Sequence, residues 1–268
     1  MKGRLSRMDR MLGTSILILG AAIGLSAAAV AQTASQATPD LSGVWDRPGA
    51  AREAPAGPEA LASSARRARG LPRQAFSFDE PPMQPWAAER YRQAREGVED
   101  AYESGRDEID PTYNCFPPGM PRIFTGIRPF EIHQLPKVVL MLFESDHWVR
   151  RIHMDGRGHP DGYPVTWMGH SVGKWEGDTL VVDTINIDSR SWLDGLGHPM
   201  SDALRIEERI RRPNQQTLEI DFRFEDPKAY TRPWTGRKVF ELMPPGYEVL
   251  EDVVCVEYLE IGKRRQIE

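Results

Sequence analysis

The chain has little cysteine: Cys115 and Cys255 are the only two in 268 residues. It has no G-x-G-x-x-G, no G-x-x-x-x-G-K-[ST] and no C-x-x-C, so nucleotide binding, phosphate cradling and thioredoxin-type redox chemistry have no motif to stand on. A basic surplus is also missing. The formal net charge is -5, which makes the chain a poor partner for nucleic acid or an anionic membrane surface. After residue 31 no apolar run is long enough to span a bilayer.

The one long apolar run lies at the start. Lys2, Arg4, Arg7 and Arg10 precede Met11 to Val30, and Ala29-Val30-Ala31 ends the run. This order reads as a secretory signal peptide cleaved after Ala31, with an uncleaved membrane anchor as the rival reading. Cleavage removes four positive charges and one negative and takes the net charge from -5 to about -8. The expected location is the periplasm or the exterior. In an oxidising compartment an even pair of cysteines argues for one structural disulfide closing a long loop; a catalytic thiol is the alternative.

The chain divides into the leader 1–31, an N-terminal strand with a Pro/Ala/Arg-rich loop at 32–78, and a helix plus β domain at 79–268 that includes residues 41–45. In "PWAAERYRQAREGVEDAYES", Tyr91, Ala94, Val98 and Tyr102 recur about one turn apart, so a helix over 85–104 is expected, starting at a proline. From there the period changes to two. "QTLEIDFRF" sets Leu218, Ile220, Phe222 and Phe224 against Thr217, Glu219, Asp221 and Arg223. Similar strands are expected at 128–135, 137–144, 147–154, 171–176, 178–184, 204–212, 235–243 and 248–259, joined by turns such as Gly177-Asp178 and Pro213-Asn214. Strands in meander order without helices between them pair antiparallel. A mainly β fold follows, an antiparallel meander barrel wrapped by the N-terminal helix and long loop, with a sandwich or other open β fold as the alternative.

"GHSVG" at 169–173 fits the G-x-S-x-G nucleophile elbow, which needs a strand before the serine and a helix after it. "KWEGDTLVVDT" follows instead, an aromatic residue, a Gly-Asp turn and a β-branched run, which reads as a hairpin. Ser171, Asp194 and His198 also form a formal Ser-Asp-His order, packed into 27 residues of apparent strand and loop.

"HWVRRIHM" alternates so that His147, Val149, Arg151 and His153 share one face. With this face turned inward, an enzyme without cofactor is expected: a lyase, isomerase or hydrolase acting on a small, largely apolar or aromatic molecule. His170 serves as general base or acid, Arg151 holds a carboxylate or oxyanion, and Glu131, Asp155 or Glu207 orients the histidine or shares the proton. Ser171 belongs to the same pocket. Trp167, Trp175, Trp192, Trp234 and His153 line it. Two alternatives stand beside this: a non-catalytic carrier enclosing an apolar ligand in the barrel, and a metal site built from His153, His159 and His170 with Asp155. "RIEERIRR" reads as a solvated strand face.

Three stretches together resemble a large bacterial family of secreted proteins without a generally assigned reaction: Leu41-Ser42-Gly43-Val44-Trp45, "TWMGHSVGKWEGDTLVVDT" at 166–184 and "DPKAYTRPWT" at 226–235. "NCFPPGMPR" at 114–122 and Cys255 resemble that family's paired cysteines, so the likeness implies export and a Cys115–Cys255 bridge. Gly43-Val44-Trp45 also resembles the opening G-x-W of lipocalins. That likeness implies a tryptophan plugging one barrel end beneath a basic residue, for which Lys263, Arg264 or Arg265 is expected.

Overall fold

The computed structural model describes residues 38–48, 72–104, 110–126 and 128–250, with backbone alone for 98–104 and for 113–114. Among the described residues nine strands close into a barrel in sequence order: β1 (Gly43–Asp46), β2 (Phe130–Leu135), β3 (Val138–Phe143), β4 (Val149–His153), β5 (His170–Glu176), β6 (Thr179–Ile185), β7 (Arg205–Asn214), β8 (Thr217–Glu225) and β9 (Trp234–Leu242). The protein is mainly β, with one α-helix among the described residues, α1 (Pro85–Ser104).

Two expectations about the barrel need correction. β4 and β5 run parallel, so the barrel is mixed rather than purely antiparallel. Residues 154–169 carry the chain back along the barrel before β5 begins, and the resulting seam has only two register pairs, Ile152 with Ser171 and His153 with Val172. The closing strand is β1, which pairs with both β2 and β9. Residues 248–250 of the expected 248–259 strand are not extended into the sheet, and the rest of that stretch lies outside the described residues.

The period-two pattern decides which side chains enter. Leu218, Ile220, Phe222 and Phe224 of β8 are completely buried. From the 3-10 turn at Arg122–Thr125, Phe124 packs 5.4–5.7 Å from Phe130, Phe143 and Phe222. Burying rings of this size contributes roughly 1.5–3 kcal/mol each. On β4, however, the inward residues are Arg150 and Ile152, while Arg151 is exposed and His153 lies on the outer face. The expected inward face of this strand is therefore the outward one.

Trp45 is fully buried, donates Nε1–H to the Leu41 carbonyl at 3.0 Å and lies under the Arg212 guanidinium, 5.1 Å from the ring centroid. A cation does cover this tryptophan, and it comes from the end of β7; residues 263–265 lie outside the described residues. Residues 72–79 run along the part of β9 that the short β1 leaves free. There the Arg237 amide donates to the Phe76 carbonyl at 3.0 Å, and the Phe76 ring sits 4.7 Å from that of Phe222. Lys238 donates to the carbonyls of Pro72, Arg73 and Ala75 at 2.6–3.1 Å; burial brings its ammonium down to about 8. Helix α1 buries Ala87 and Ala94 and stacks Tyr91 on His198, and the side chains of Val98 and Tyr102 lie outside the described residues.

Candidate functional site

Ser171 follows the inward parity of β5. Its hydroxyl meets Thr184 at 2.9 Å and the Arg150 guanidinium at 3.2 Å, and it is fully buried. No helix follows Gly173; β5 continues to Glu176 and turns into β6. The two glycines have a packing reason. Gly169 holds φ +66° with a Cβ position 2.6 Å from the Ile185 carbonyl oxygen, and a Cβ on Gly173 would sit 2.7 Å from Met154 Sδ and 2.8 Å from Ile152 Cγ2. The G-x-S-x-G match thus arises from barrel packing, and Ser171 is a structural hydroxyl. Ser171→Ala is expected to cost about 1–3 kcal/mol in urea unfolding, because Arg150 loses an acceptor. A fluorophosphonate probe should leave the native protein unlabelled; labelling at Ser171 would restore the nucleophile.

His170, one residue earlier, faces outward, yet it is only 3% exposed. The 154–169 connection covers it, bringing His159 and Tyr163 onto its ring, while His153 stacks beside it with ring centroids 5.2 Å apart. His159 Nδ1 lies 2.8 Å from His170 Nδ1, and His159 Nε2 lies 3.1 Å from Asp183 Oδ2. Arg205 holds the same carboxylate with two hydrogen bonds of 2.7 Å. Burial alone would raise the Asp183 pKa, but the hydrogen bonds from Arg205 and His159 hold it below the ordinary carboxylate value. Asp183 is therefore an ionised acceptor, and it sets the tautomers in order. His159 donates Nε2–H to Asp183 and accepts at Nδ1 from His170, which leaves the lone pair of His170 on Nε2. That nitrogen makes no hydrogen bond among the described residues.

Burial lowers the pKa of His170, helped by the positive fields of His159, His153 and Arg157. Burial and Arg157 lower His153 in the same direction. A histidine with a depressed folded pKa contributes stability that is present above the unfolded value of about 6.5 and lost as pH falls through the folded value, because the unfolded chain then binds more protons. Urea midpoints should therefore drop between pH 7 and pH 5.5, and His170→Gln should flatten that drop. An unchanged slope in the variant would show that His170 carries no such linkage.

Cross-strand register places His153, Val172, Asp183, Glu207, Arg223 and Thr235 in one row on the outer face. Neighbours in such a row have Cβ atoms about 4.5–5.5 Å apart. Beside the row lies a groove of about 590 Å³ whose walls include Arg157, Asp183, Arg205 and Glu207. It adjoins a second groove of about 750 Å³ running to Phe78, and the two share Glu207, Arg209 and Arg223. Of the expected site residues, Glu207 lines these grooves, while His170 and His153 stack on each other outside the lining and are joined to it through His159 and Asp183.

The other expected residues lie elsewhere. Asp155 is taken up by Arg157, whose hydrogen bonds bring its carboxyl down to about 2, so it orients no histidine. Glu131 on β2 pairs with His133 at 3.2 Å. Arg151 points to solvent. The four tryptophans line neither groove: Trp234 belongs to the core, Trp175 packs against it, Trp192 lies under Arg122, and Trp167 lies under Arg190. Asp194 and His198 do pair, at 2.7 Å, but Tyr91 stacks on the imidazole, while Ser171 is engaged with Arg150 and Thr184. The sequence named His159 as a ligand of the alternative metal site. Among the described residues no set of three or more His, Cys, Asp or Glu side chains is arranged to hold a metal ion. Asp183, Tyr163 and Arg205 were not singled out; the outward parity of Asp183 within "TLVVDTI" was the available signal. Compared with known protein families, with curated proteins and with solved structures, the chain matches none.

Proposed function

We propose that this is an exported enzyme, a lyase, isomerase or hydrolase, that performs cofactor-independent acid–base chemistry with His170 as the base. The observation that carries the reading is the hydrogen-bonded series His170, His159, Asp183, Arg205, whose Asp183 and Arg205 stand in the groove wall and whose other end is the unshared nitrogen lone pair of His170. A proton taken at His170 Nε2 is relayed by passing the Nδ1 proton to His159 Nδ1. The positive charge then rests next to the Asp183 carboxylate, and Asp183 itself stays unprotonated. Arg157 in the groove wall supplies the cation for a developing oxyanion, and Glu207 accepts a substrate hydroxyl or shares the proton. The charged lining fits a polar substrate better than the apolar one expected from the sequence.

The aromatic core packed inside the barrel supports this reading over the carrier alternative, which needs room for a ligand there. Export, membership of the bacterial secreted family and a Cys115–Cys255 disulfide remain part of the proposal, since residues 1–37 and Cys255 lie outside the described residues. The test is nitrogen-15 NMR of the histidines across pH 4–9. The expected result is a neutral His170 with its proton on Nδ1 and a midpoint below that of free imidazole side chains. A midpoint at or above about 6.5, or a proton on Nε2, overturns the assignment.

A further inference from the structure

The groove walled by Asp183 and Arg205 does not end at β7. Its sharing of Glu207, Arg209 and Arg223 with the groove along β8 and β9 makes one trough across β5 to β9. Four inter-strand spacings amount to about 19 Å, long enough for a chain of several small rings.

The lining has an unusual balance. Six cationic and six acidic side chains line the two grooves, so the trough carries no net formal charge. Most of these groups already neutralise one another: Arg205 with Asp183, Arg209 with Glu176 at 3.1 Å, Arg237 with Asp221, Arg223 with Glu225 at 2.8 Å. A polyanion or polycation would gain little field here. An apolar chain would strip water from ion pairs and return no hydrogen bond. A neutral ligand rich in hydroxyls, each both donor and acceptor, can bond to the paired carboxylates and guanidinium groups without breaking the pairs. Glu207, at the middle of the trough, makes no hydrogen bond or ion pair among the described residues and is available as an acceptor. At the far rim the Phe78 ring is 70% exposed, a flat apolar surface on which the C–H face of a sugar ring can lie.

We infer that the trough binds a neutral oligosaccharide laid across β5 to β9, with one end on Phe78 and the other at Asp183, which His159 joins to His170. The inference rests on the reading of His170 as the base, and it adds the substrate class. The test is calorimetric titration of the purified protein with two neutral probes, β-1,4-glucohexaose and α-1,4-glucohexaose, beside polygalacturonate and dodecanoate. One of the glucohexaoses should bind. Phe78→Ala and Glu207→Gln should each weaken that binding about tenfold, the scale of one lost contact to a charged group or ring. Glu89→Gln on α1, which lines neither groove, should leave it unchanged. Failure of both glucohexaoses to bind, preference for polygalacturonate or dodecanoate, or equal affinity in the Phe78 and Glu207 variants overturns the inference. His170→Ala separates the two proposals: binding kept while turnover is lost upholds both. Absent binding with a depressed His170 midpoint removes the oligosaccharide and leaves the base in place.

Discussion

Glu208→Ala is expected to lose about 3–5 kcal/mol of stability, a large share of the roughly 5–15 kcal/mol that holds a typical domain together. Glu208 and Arg150 face each other inside the barrel, with side chains 0% and 1% exposed. Two guanidinium nitrogens meet the two carboxylate oxygens, one of them at 2.9 Å, and Ser171 and Thr184 take further N–H donors. Met141 Sδ lies 3.9 Å from Nη1, and the Phe124 ring 6.0 Å from the guanidinium carbon. Once the carboxylate is gone, a full positive charge is left in the core with the Ser171 and Thr184 hydroxyls and the Met141 sulfur as its hydrogen-bond partners among the described residues. Arg150→Ala strands the opposite charge and should cost a similar amount. The double variant Arg150→Met, Glu208→Leu leaves neither charge behind and should recover more than half of either single loss, because desolvating both ions opposes the attraction between them. Guanidinium chloride unfolding of the three variants decides the matter. Equal losses in the single and double variants would mean that packing volume, rather than stranded charge, sets the cost.

This pair shows where sequence reading stops. β8 was legible because one of its faces is wholly apolar and the other wholly polar, so its register had a single solution. "HWVRRIHM" offers an arginine to each face, and nothing local says which one enters. The decision depends on Glu208, 58 residues further on, whose own neighbour Glu207 is equally acidic. The sequence reading chose Arg151 and Glu207, and the fold turns both outward. Period two also could not show the parallel seam between β4 and β5, since the direction of pairing depends on the course of 154–169. That stretch, "DGRGHPDGYP" at its centre, has turn residues and no periodicity to anchor it. Because His159 travels on it, the contact with His170 was hidden, although both residues stood out individually. The barrel and the missing nucleophile elbow were readable from local pattern, while the facing of the charged residues on β4 and β7 and the partners of single charged groups were not.

His170→Ala is expected to fold normally and to lower kcat/KM about 10²–10⁴-fold, the usual contribution of a positioned base. p-Nitrophenyl acetate is the probe, being small enough to reach His170 without filling the trough. Its imidazole packs under a surface connection outside the main core, so its loss should leave the unfolding midpoint near the wild-type value at pH 7. Asp183→Asn acts through His159 and is a positioning change. The amide still fills the space between His159 and Arg205, but it removes the anion that stabilises the relayed positive charge. Its effect should fall on kcat more than on KM, and the acid limb of the pH profile should move to lower pH, because a histidine pair without its carboxylate is harder to protonate. In the wild type that limb already lies below about 6.5, since burial and neighbouring cations depress His170. Activity that survives in His170→Ala would take the histidine out of the mechanism. An acid limb that stays fixed when Asp183 becomes asparagine would leave His170 as an isolated base and remove the relay.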